Sequence, residues 1–177
     1  MRQLDLISVR QYGSQPHCGR LTAVDIVLPC AIGRSGVSDA KQEGDGASPA
    51  GTWPLRRVLF RPDRIERPAT NLPVSAISPD DGWCDDPADP RYNRLVRLPY
   101  GASAESLWRD DELYDVVVVL GHNDDPPRPG LGSAIFLHLA TADYAPTAGC
   151  VAVHRPDMVR LLAQCGPGTK LEIAAAP

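Results

Sequence analysis

The residues best suited to chemistry lie in one short segment, Phe136–Val153. An apolar, strand-like run brings the chain to His138, and Cys150 follows twelve residues later, directly after Gly149. A cysteine nucleophile needs a base that takes its proton and backbone N–H groups that bind a developing oxyanion. Cys150, His138 and the amides around Gly149 can supply these three parts. The segment therefore predicts nucleophilic catalysis through a covalent intermediate.

Cys150 differs from the other cysteines in its local sequence. Cysteines in apolar runs are mostly small core residues, which is our interpretation of Cys30 and Cys165. Pro146–Gly149 instead predicts a turn that places the Cys150 thiol at the start of a strand, beside free amides. These local features alone support a nucleophilic role and a core role for Cys150 equally. The five cysteines form no CxxC pair, so structural zinc is not expected.

Other histidines compete with His138 for the role of base. Strand alternation places His154 on the face opposite to Cys150. His122 follows a valine-rich run and is a candidate to line the same site, although a plain loop residue is an equally good interpretation.

Composition points to one loop-rich, mainly β domain that spans residues 1–177. The chain has 18 prolines and 15 glycines, and 43% of its residues are hydrophobic. The net charge of -4 gives no electrostatic footprint for nucleic acid.

No apolar run is long enough to span a membrane. Met1–Arg10 does not resemble a signal peptide, because its apolar stretch is short and carries Asp5.

Apolar alternation and turn residues predict a series of short strands. The predicted strand runs are Leu4–Val9, Leu21–Ile32, Trp53–Phe60, Tyr114–Leu120, Ala134–Leu139 and Thr169–Ile173. The first two are expected to pair antiparallel, and the valine-rich one to lie centrally. Frequent prolines predict little regular structure over residues 61–100. Two short helices are expected, over Ser103–Asp110 and Arg155–Cys165.

Four short blocks together resemble the YkuD family of L,D-transpeptidase catalytic domains. The family signature is a histidine, a variable spacer and then Ser/Thr-x-Gly-Cys. The matching blocks are His138 with Thr147–Cys150, the glycine-rich loop Lys41–Thr52, the run Gly132–His138, and Asp81–Asp86 with Tyr92–Arg94. Each block is weakly specific alone, but the four occur in the family's order, and the resemblance covers most of residues 21–174.

The resemblance implies a mainly β fold, a twisted β-sandwich or barrel-like assembly with a few short helices. It implies peptidoglycan stem peptides as substrate, and neither a cofactor nor a metal. Cys150 is expected to attack the diaminopimelate carbonyl of a donor stem and release the terminal D-alanine. An amine of an acceptor stem then resolves the thioester into a 3-3 or a 1-3 crosslink. His138 is the implied base, and the amides of Gly149 and Cys150 the implied oxyanion donors.

The resemblance also suggests which residues contact the substrate. The implied substrate-binding residues are Thr147, Ala148, His122, Trp83, Tyr92, Arg94 and Ser133. Two positions depart from the family pattern. Many members have a histidine where this chain has Ala148, and an arginine or asparagine where it has Ala152. The first change leaves the backbone amides in place, and the second removes a contact, so both bear on the acceptor rather than on the chemistry.

Alternative functions stay open at this stage. Water in place of the amine makes the enzyme an L,D-carboxypeptidase, and a catalytically silent wall-binding domain is a second alternative. Labelling by a carbapenem, which acylates reactive cysteines of this family, separates the silent domain from the enzymes. A papain-type peptidase needs the cysteine before the histidine, and the order here is reversed. The resemblance implies the bacterial periplasm or cell envelope, whereas the missing leader leaves the cytoplasm as the alternative.

Overall fold

The computed structural model describes residues 3–175 and is mainly β, as predicted. The elements are β1 (Leu6–Gln11), β2 (Cys18–Ala23), β3 (Ile26–Ala31), β4 (Val37–Ser38), β5 (Ser48–Pro49), β6 (Gly51–Phe60), β7 (Val74–Ala76), β8 (Asp81–Cys84), β9 (Leu95–Arg97), β10 (Ala104–Ser106), β11 (Val116–Leu120), β12 (Phe136–Leu139), β13 (Val151–Val153), α1 (Arg155–Leu162) and β14 (Lys170–Ala174). The largest sheet in this range runs β11-β12-β13-β3-β2-β1-β14-β6-β7, and β6 also pairs with β11. That extra pairing closes the sheet into a barrel-like assembly.

Most predicted strands are confirmed, with one boundary corrected. β1 pairs antiparallel with β2, as expected from the sequence. The predicted run Leu21–Ile32 is not one strand, because its residues form the end of β2 and the whole of β3, a hairpin with a tight turn. Val24 in that turn has a φ of 46° and is 83% exposed. Because apolar residues continue through this turn, hydrophobic periodicity alone does not reveal it.

The helix predicted over Ser103–Asp110 is wrong. Ala104–Ser106 is instead β10, and Glu105 faces Trp83 of β8 in an antiparallel ladder. Local propensity favoured a helix, but that segment has only Leu107 fully buried, so a helix there has no apolar stripe to pack. The second predicted helix is confirmed as α1, with a proline in its first turn. No helix in residues 3–175 is long and apolar enough to cross a membrane.

β11 is central and buried on both faces, as its valines predict. One face packs in the main core through Val116, Val118 and Leu120. The other face packs through Val117 and Val119 in a second cluster, whose further members are Leu59, Ile77, Leu107, Tyr114, Ala134, Phe136 and Cys150. The predicted nucleophile therefore lies at the edge of this second core, where the surrounding side chains are held by packing.

Candidate active site

Parallel pairing of β12 with β13 brings His138 and Cys150 together. Leu137 faces Val151 and His138 faces Ala152, so Cys150, which directly precedes β13, follows the same register opposite Phe136. Because side chains alternate along a strand, His138 and Cys150 point to one face as diagonal neighbours. Both line a cavity of about 380 Å³. The small side chain of Ala152, which lines the cavity opposite His138, leaves room between them.

The thiol of Cys150 is held by two backbone groups. Its Sγ donates to the carbonyl oxygen of Ala134 at 3.2 Å and accepts the N–H of Phe136 at 3.3 Å. Cys150 is 7% exposed. Burial, with a further contribution from the charge of Glu105, raises the pKa of the Cys150 thiol to about 12. The resting group is therefore the neutral thiol, and its proton must be removed when the substrate is attacked.

His138 is suited to remove that proton. Its Nδ1 lies 2.8 Å from the carbonyl oxygen of Leu139. Since a carbonyl only accepts hydrogen bonds, Nδ1 carries the proton and Nε2 keeps its lone pair. Burial lowers the pKa of His138 to about 4, so the imidazole is neutral at pH 7. A neutral thiol and a neutral imidazole on one face of the sheet are in the protonation states that a resting nucleophile and its general base require.

Thr147 fixes the turn that presents Cys150. Its Oγ1 donates to the carbonyl oxygen of Cys150 at 2.6 Å and accepts the N–H of Gly149 at 3.1 Å. Its backbone bonds Ile32 and Arg34, which ties the turn to the neighbouring loop. Thr147 also lines the cavity, as does the exposed Ala148. The Gly149 amide is therefore engaged by Thr147 in this state, which leaves the amide of Cys150 as the principal candidate for binding an oxyanion.

Gly149→Ala is expected to destabilise the domain by about 2 kcal/mol and to impair the site. Gly149 has a φ of 143°, and a Cβ there would lie 2.8 Å from the carbonyl oxygen of Ala47. The turn must shift, and Cys150 shifts with it. Urea denaturation and the rate of acylation by a carbapenem measure the two effects. Gly101→Ala is the control, because a Cβ at Gly101 meets no atom within 4 Å; equal behaviour of the two variants would contradict the prediction.

Ser133 lines the cavity, and Tyr92 supports the segment that carries Ser133 without lining the cavity itself. Both hydroxyls donate to Oε2 of Glu43, the Ser133 bond measuring 2.8 Å. The Tyr92 oxygen also accepts the N–H of Gly132 at 3.0 Å. Tyr92 is 3% exposed and does not line the cavity. The Tyr92 hydroxyl therefore links the segment that carries Ser133 to the loop that carries Glu43, and it does not line the cavity.

Trp83 and Arg94 were also predicted to contact substrate, and the structure places both outside the cavity. Trp83 donates from Nε1 to Oδ1 of Asn93 at 2.8 Å and packs edge-on against Phe136, with 5.2 Å between ring centroids. Arg94 donates to the carbonyl oxygen of Asp124 at 2.6 Å. Both side chains are thus engaged in holding the 81–94 segment against the barrel.

His122 does not share the Cys150 cavity. It lines a separate pocket and packs edge-on against Trp53, with 4.7 Å between ring centroids. Its Nδ1 is buried and has no hydrogen-bond partner in the described part of the chain. Burial lowers the pKa of His122 to about 4, with a smaller effect of the Lys41 charge. His122 is therefore a neutral, buried imidazole that borders a different pocket from the nucleophile.

The sequence reasoning missed several residues of the cavity. Ionisable side chains that were not assigned to the site but line the cavity are Lys41, Glu43, Asp85, Glu105, Arg109 and Tyr114. Glu105 and Arg109 were not assigned to the site because their segment was wrongly predicted to be a helix. Lys41 and Glu43 lie in the glycine-rich loop Lys41–Thr52, in which no site residue was predicted. Asp85 belongs to the matched block Asp81–Asp86, which was the sequence signal that pointed to this part of the cavity.

Acidification is expected to destabilise the fold through its two buried imidazoles. Burial holds the pKa values of His122 and His138 at about 4, below the value of 6.5 for an unperturbed histidine. The unfolded chain therefore binds more protons, and stability falls as the pH drops from 6.5 to about 4. Each histidine contributes a loss on the order of 3 kcal/mol.

Urea denaturation at pH 7 and pH 4.5 measures this loss. His122→Gln is expected to have a smaller difference between the two pH values than the wild type, because it lacks one titrating group. An unchanged difference would show that His122 is not the buried neutral group described above.

One family model matches this chain over nearly its whole length. The model describes the YkuD L,D-transpeptidase catalytic domain and matches residues 20–173. No curated protein and no solved structure gives a significant match. The matched region contains the cavity, the turn before Cys150 and most of the barrel-like sheet, but not β1. The chain therefore belongs to the YkuD family of L,D-transpeptidase catalytic domains, which are cysteine-dependent.

Proposed function

We propose that this protein is an L,D-transpeptidase that crosslinks peptidoglycan stem peptides in the cell envelope through a thioester on Cys150. The observation that carries the proposal is the shared cavity of His138 and Cys150, which lie diagonally on one face of β12 and β13. Family membership supports the reaction class. The cavity, at about 380 Å³, suits one end of a peptide rather than a whole glycan.

Acylation begins when Nε2 of His138 takes the proton of the Cys150 thiol. The thiolate attacks the carbonyl of diaminopimelate in the donor stem, and the backbone amide of Cys150 stabilises the oxyanion. His138 then returns the proton to the departing amine of D-alanine, and a thioester remains. Thr147 holds the turn in place during these steps, because its hydroxyl bonds the Cys150 carbonyl at 2.6 Å.

Deacylation by an acceptor amine restores the free thiol and forms the crosslink. Ser133, Thr147 and Ala148 are the predicted substrate contacts that line the cavity. Ala148 is exposed at the mouth, where an acceptor stem would arrive after D-alanine has left. Lacking the histidine that many members carry there, this protein relies on other groups to receive the acceptor.

Incubation with purified disaccharide-tetrapeptide, followed by mass spectrometry, tests the proposal. The expected product is a dimer that has lost one D-alanine, and fragmentation distinguishes a 3-3 from a 1-3 crosslink. Tripeptide without dimer would make the enzyme an L,D-carboxypeptidase. A wild-type protein that gives neither product, and no adduct with a carbapenem, would refute the proposed activity and leave a wall-binding domain.

A further inference from the structure

Glu105 reaches the Cys150 cavity from a different part of the chain. It lies in β10 and lines the cavity together with Cys150 and His138. The Tyr114 hydroxyl donates to Oε1 of Glu105, and no protein group among the described residues bonds its Oε2. Tyr114 also packs edge-on against His138, with 5.3 Å between ring centroids. The Tyr114 side chain thus positions the Glu105 carboxylate relative to His138 and leaves Oε2 of Glu105 available.

The two cations of the cavity already have carboxylate partners. Lys41 pairs with Asp45, and Arg109 pairs with Asp111. Glu105, by contrast, forms no ion pair with any residue from 3 to 175. The cavity therefore holds a negative charge that no neighbouring protein group neutralises within contact distance, and a cationic part of a ligand is the natural complement.

A second acid in the cavity also lacks a partner. Asp85 lines the cavity, and its Oδ1 is buried without a hydrogen-bond partner in the described range. A buried acceptor left unpaired costs roughly 1–3 kcal/mol, so such groups usually mark the place of a missing donor. An ammonium group brings three donors and a positive charge. Asp85 and Glu105 together therefore fit the amine of an incoming stem peptide.

We propose that Glu105 binds the acceptor ammonium group and takes its proton, with Asp85 as the second hydrogen-bond acceptor. This inference rests on the proposed function. It divides proton transfer between two groups: His138 serves the Cys150 sulfur in both half-reactions, and Glu105 takes the first proton of the acceptor ammonium during deacylation. Glu105 thereby favours an amine over water as the second substrate.

The proposed deacylation balances in protons and bonds. The ammonium gives one proton to the Glu105 carboxylate, and the free amine attacks the thioester carbonyl. The C–S bond breaks as the C–N bond forms. The second amine proton passes through His138 to the Cys150 sulfur, which leaves an amide, a neutral thiol and a protonated Glu105. Glu105 then loses its proton to water and the cycle is complete.

The surroundings of Glu105 favour this role. Burial raises the pKa of Glu105 above its ordinary range, and the charges of Asp85 and Glu43 add to that effect. The Tyr114 hydrogen bond and the Arg109 charge act in the opposite direction. A carboxylate with a raised pKa is a stronger base than an exposed one. The negative charge of Glu105 also raises the pKa of the Cys150 thiol, so removal of this charge should not slow acylation.

Separate measurement of acylation and transfer in Glu105→Gln tests the inference. Intact-protein mass spectrometry follows thioester formation from disaccharide-tetrapeptide, and chromatography follows the ratio of dimer to tripeptide. We expect acylation within about threefold of the wild type, at least a tenfold loss of dimer formation, and a larger share of tripeptide. The wild-type rate of dimer formation should fall as acid protonates Glu105, and Glu105→Asp should recover part of it.

Controls separate failure of the inference from failure of the proposed function. Glu112→Gln is the matched control, because Glu112 has a side chain 79% exposed and lies outside the cavity. Unchanged dimer formation in Glu105→Gln, or equal losses of acylation and transfer, would overturn the inference alone. A wild type that forms the thioester but never a dimer would overturn both the inference and the proposed transpeptidation.

Discussion

Cys150→Ala is expected to abolish D-alanine release and crosslinking, a loss of about 10⁴-fold or more. Among the described residues that line the cavity, Cys150 is the one cysteine, and a hydroxyl or carboxylate is a much weaker nucleophile than a thiolate. The fold should survive, since the change removes one buried sulfur from a site at the edge of the core and costs about 1 kcal/mol. Product formation and carbapenem adducts measure the first effect, and urea denaturation measures the second.

Cys165→Ala is the matched control for this variant. Cys165 is 1% exposed, its thiol donates to the carbonyl oxygen of Leu161 at 3.2 Å, and burial raises its pKa to about 12. Cys165 therefore shares the burial and protonation state of Cys150 but lies outside the cavity. Full activity in Cys165→Ala would show that the location of the thiol matters, and crosslinking by Cys150→Ala would refute the assignment of the nucleophile.

Asp115→Asn is expected to destabilise the domain by about 3 kcal/mol, which lowers the melting temperature by about 6–12 °C. Asp115 is 1% exposed and directly precedes β11. Its Oδ1 accepts from Arg64 at 3.0 Å and its Oδ2 from Arg155 at 2.6 Å. An asparagine turns one of these acceptors into a donor that faces a guanidinium. Thermal unfolding followed by circular dichroism measures the loss.

Asp80→Asn provides the contrast. Asp80 also pairs with an arginine, Arg97, but their side chains are 52% and 65% exposed. Surface ion pairs of this kind contribute about 0–1 kcal/mol. Similar melting temperatures for Asp80→Asn and Asp115→Asn would contradict the view that burial makes the Asp115 pairings important. The position of Asp115 beside Tyr114 also means that this variant should weaken catalysis through the cavity wall.

The strands of the barrel were accessible from sequence because they depend on local patterns. Valine-rich and alternating runs specify strands, and the Pro146–Gly149 turn specifies where Cys150 is presented. The separation between His138 and Cys150 allows a parallel crossover, but their diagonal relation depends on a register that no local pattern encodes. The short segment between these two residues predicted their pairing, the family resemblance supported it, and the structure supplies its geometry.

The acidic side chains of the cavity, Asp85 and Glu105, could not be assigned from the sequence, because their position depends on the long-range pairing of β8 with β10. The alanine, glutamate and serine of β10 have helix-compatible propensities, and only the ladder with β8 makes this segment a strand. Glu105 enters the cavity through that ladder. Trp83, Tyr92 and Arg94, by contrast, were assigned to substrate because they belong to a matched block. Their side chains instead hold the segment that carries Asp85, and this difference is visible only in the packing.

The burial of the Cys150 sulfur has a consequence for its resistance to oxidation and alkylation. Peroxide and alkylating reagents attack the thiolate, and a thiol whose pKa is about 12 is almost fully protonated at neutral pH. Cys18 is the most accessible of the five cysteines and should be modified first. Cys150 should therefore be oxidised more slowly than an exposed cysteine of ordinary pKa. We expect Cys150 to react only when a bound acyl donor offers its sulfur an electrophile.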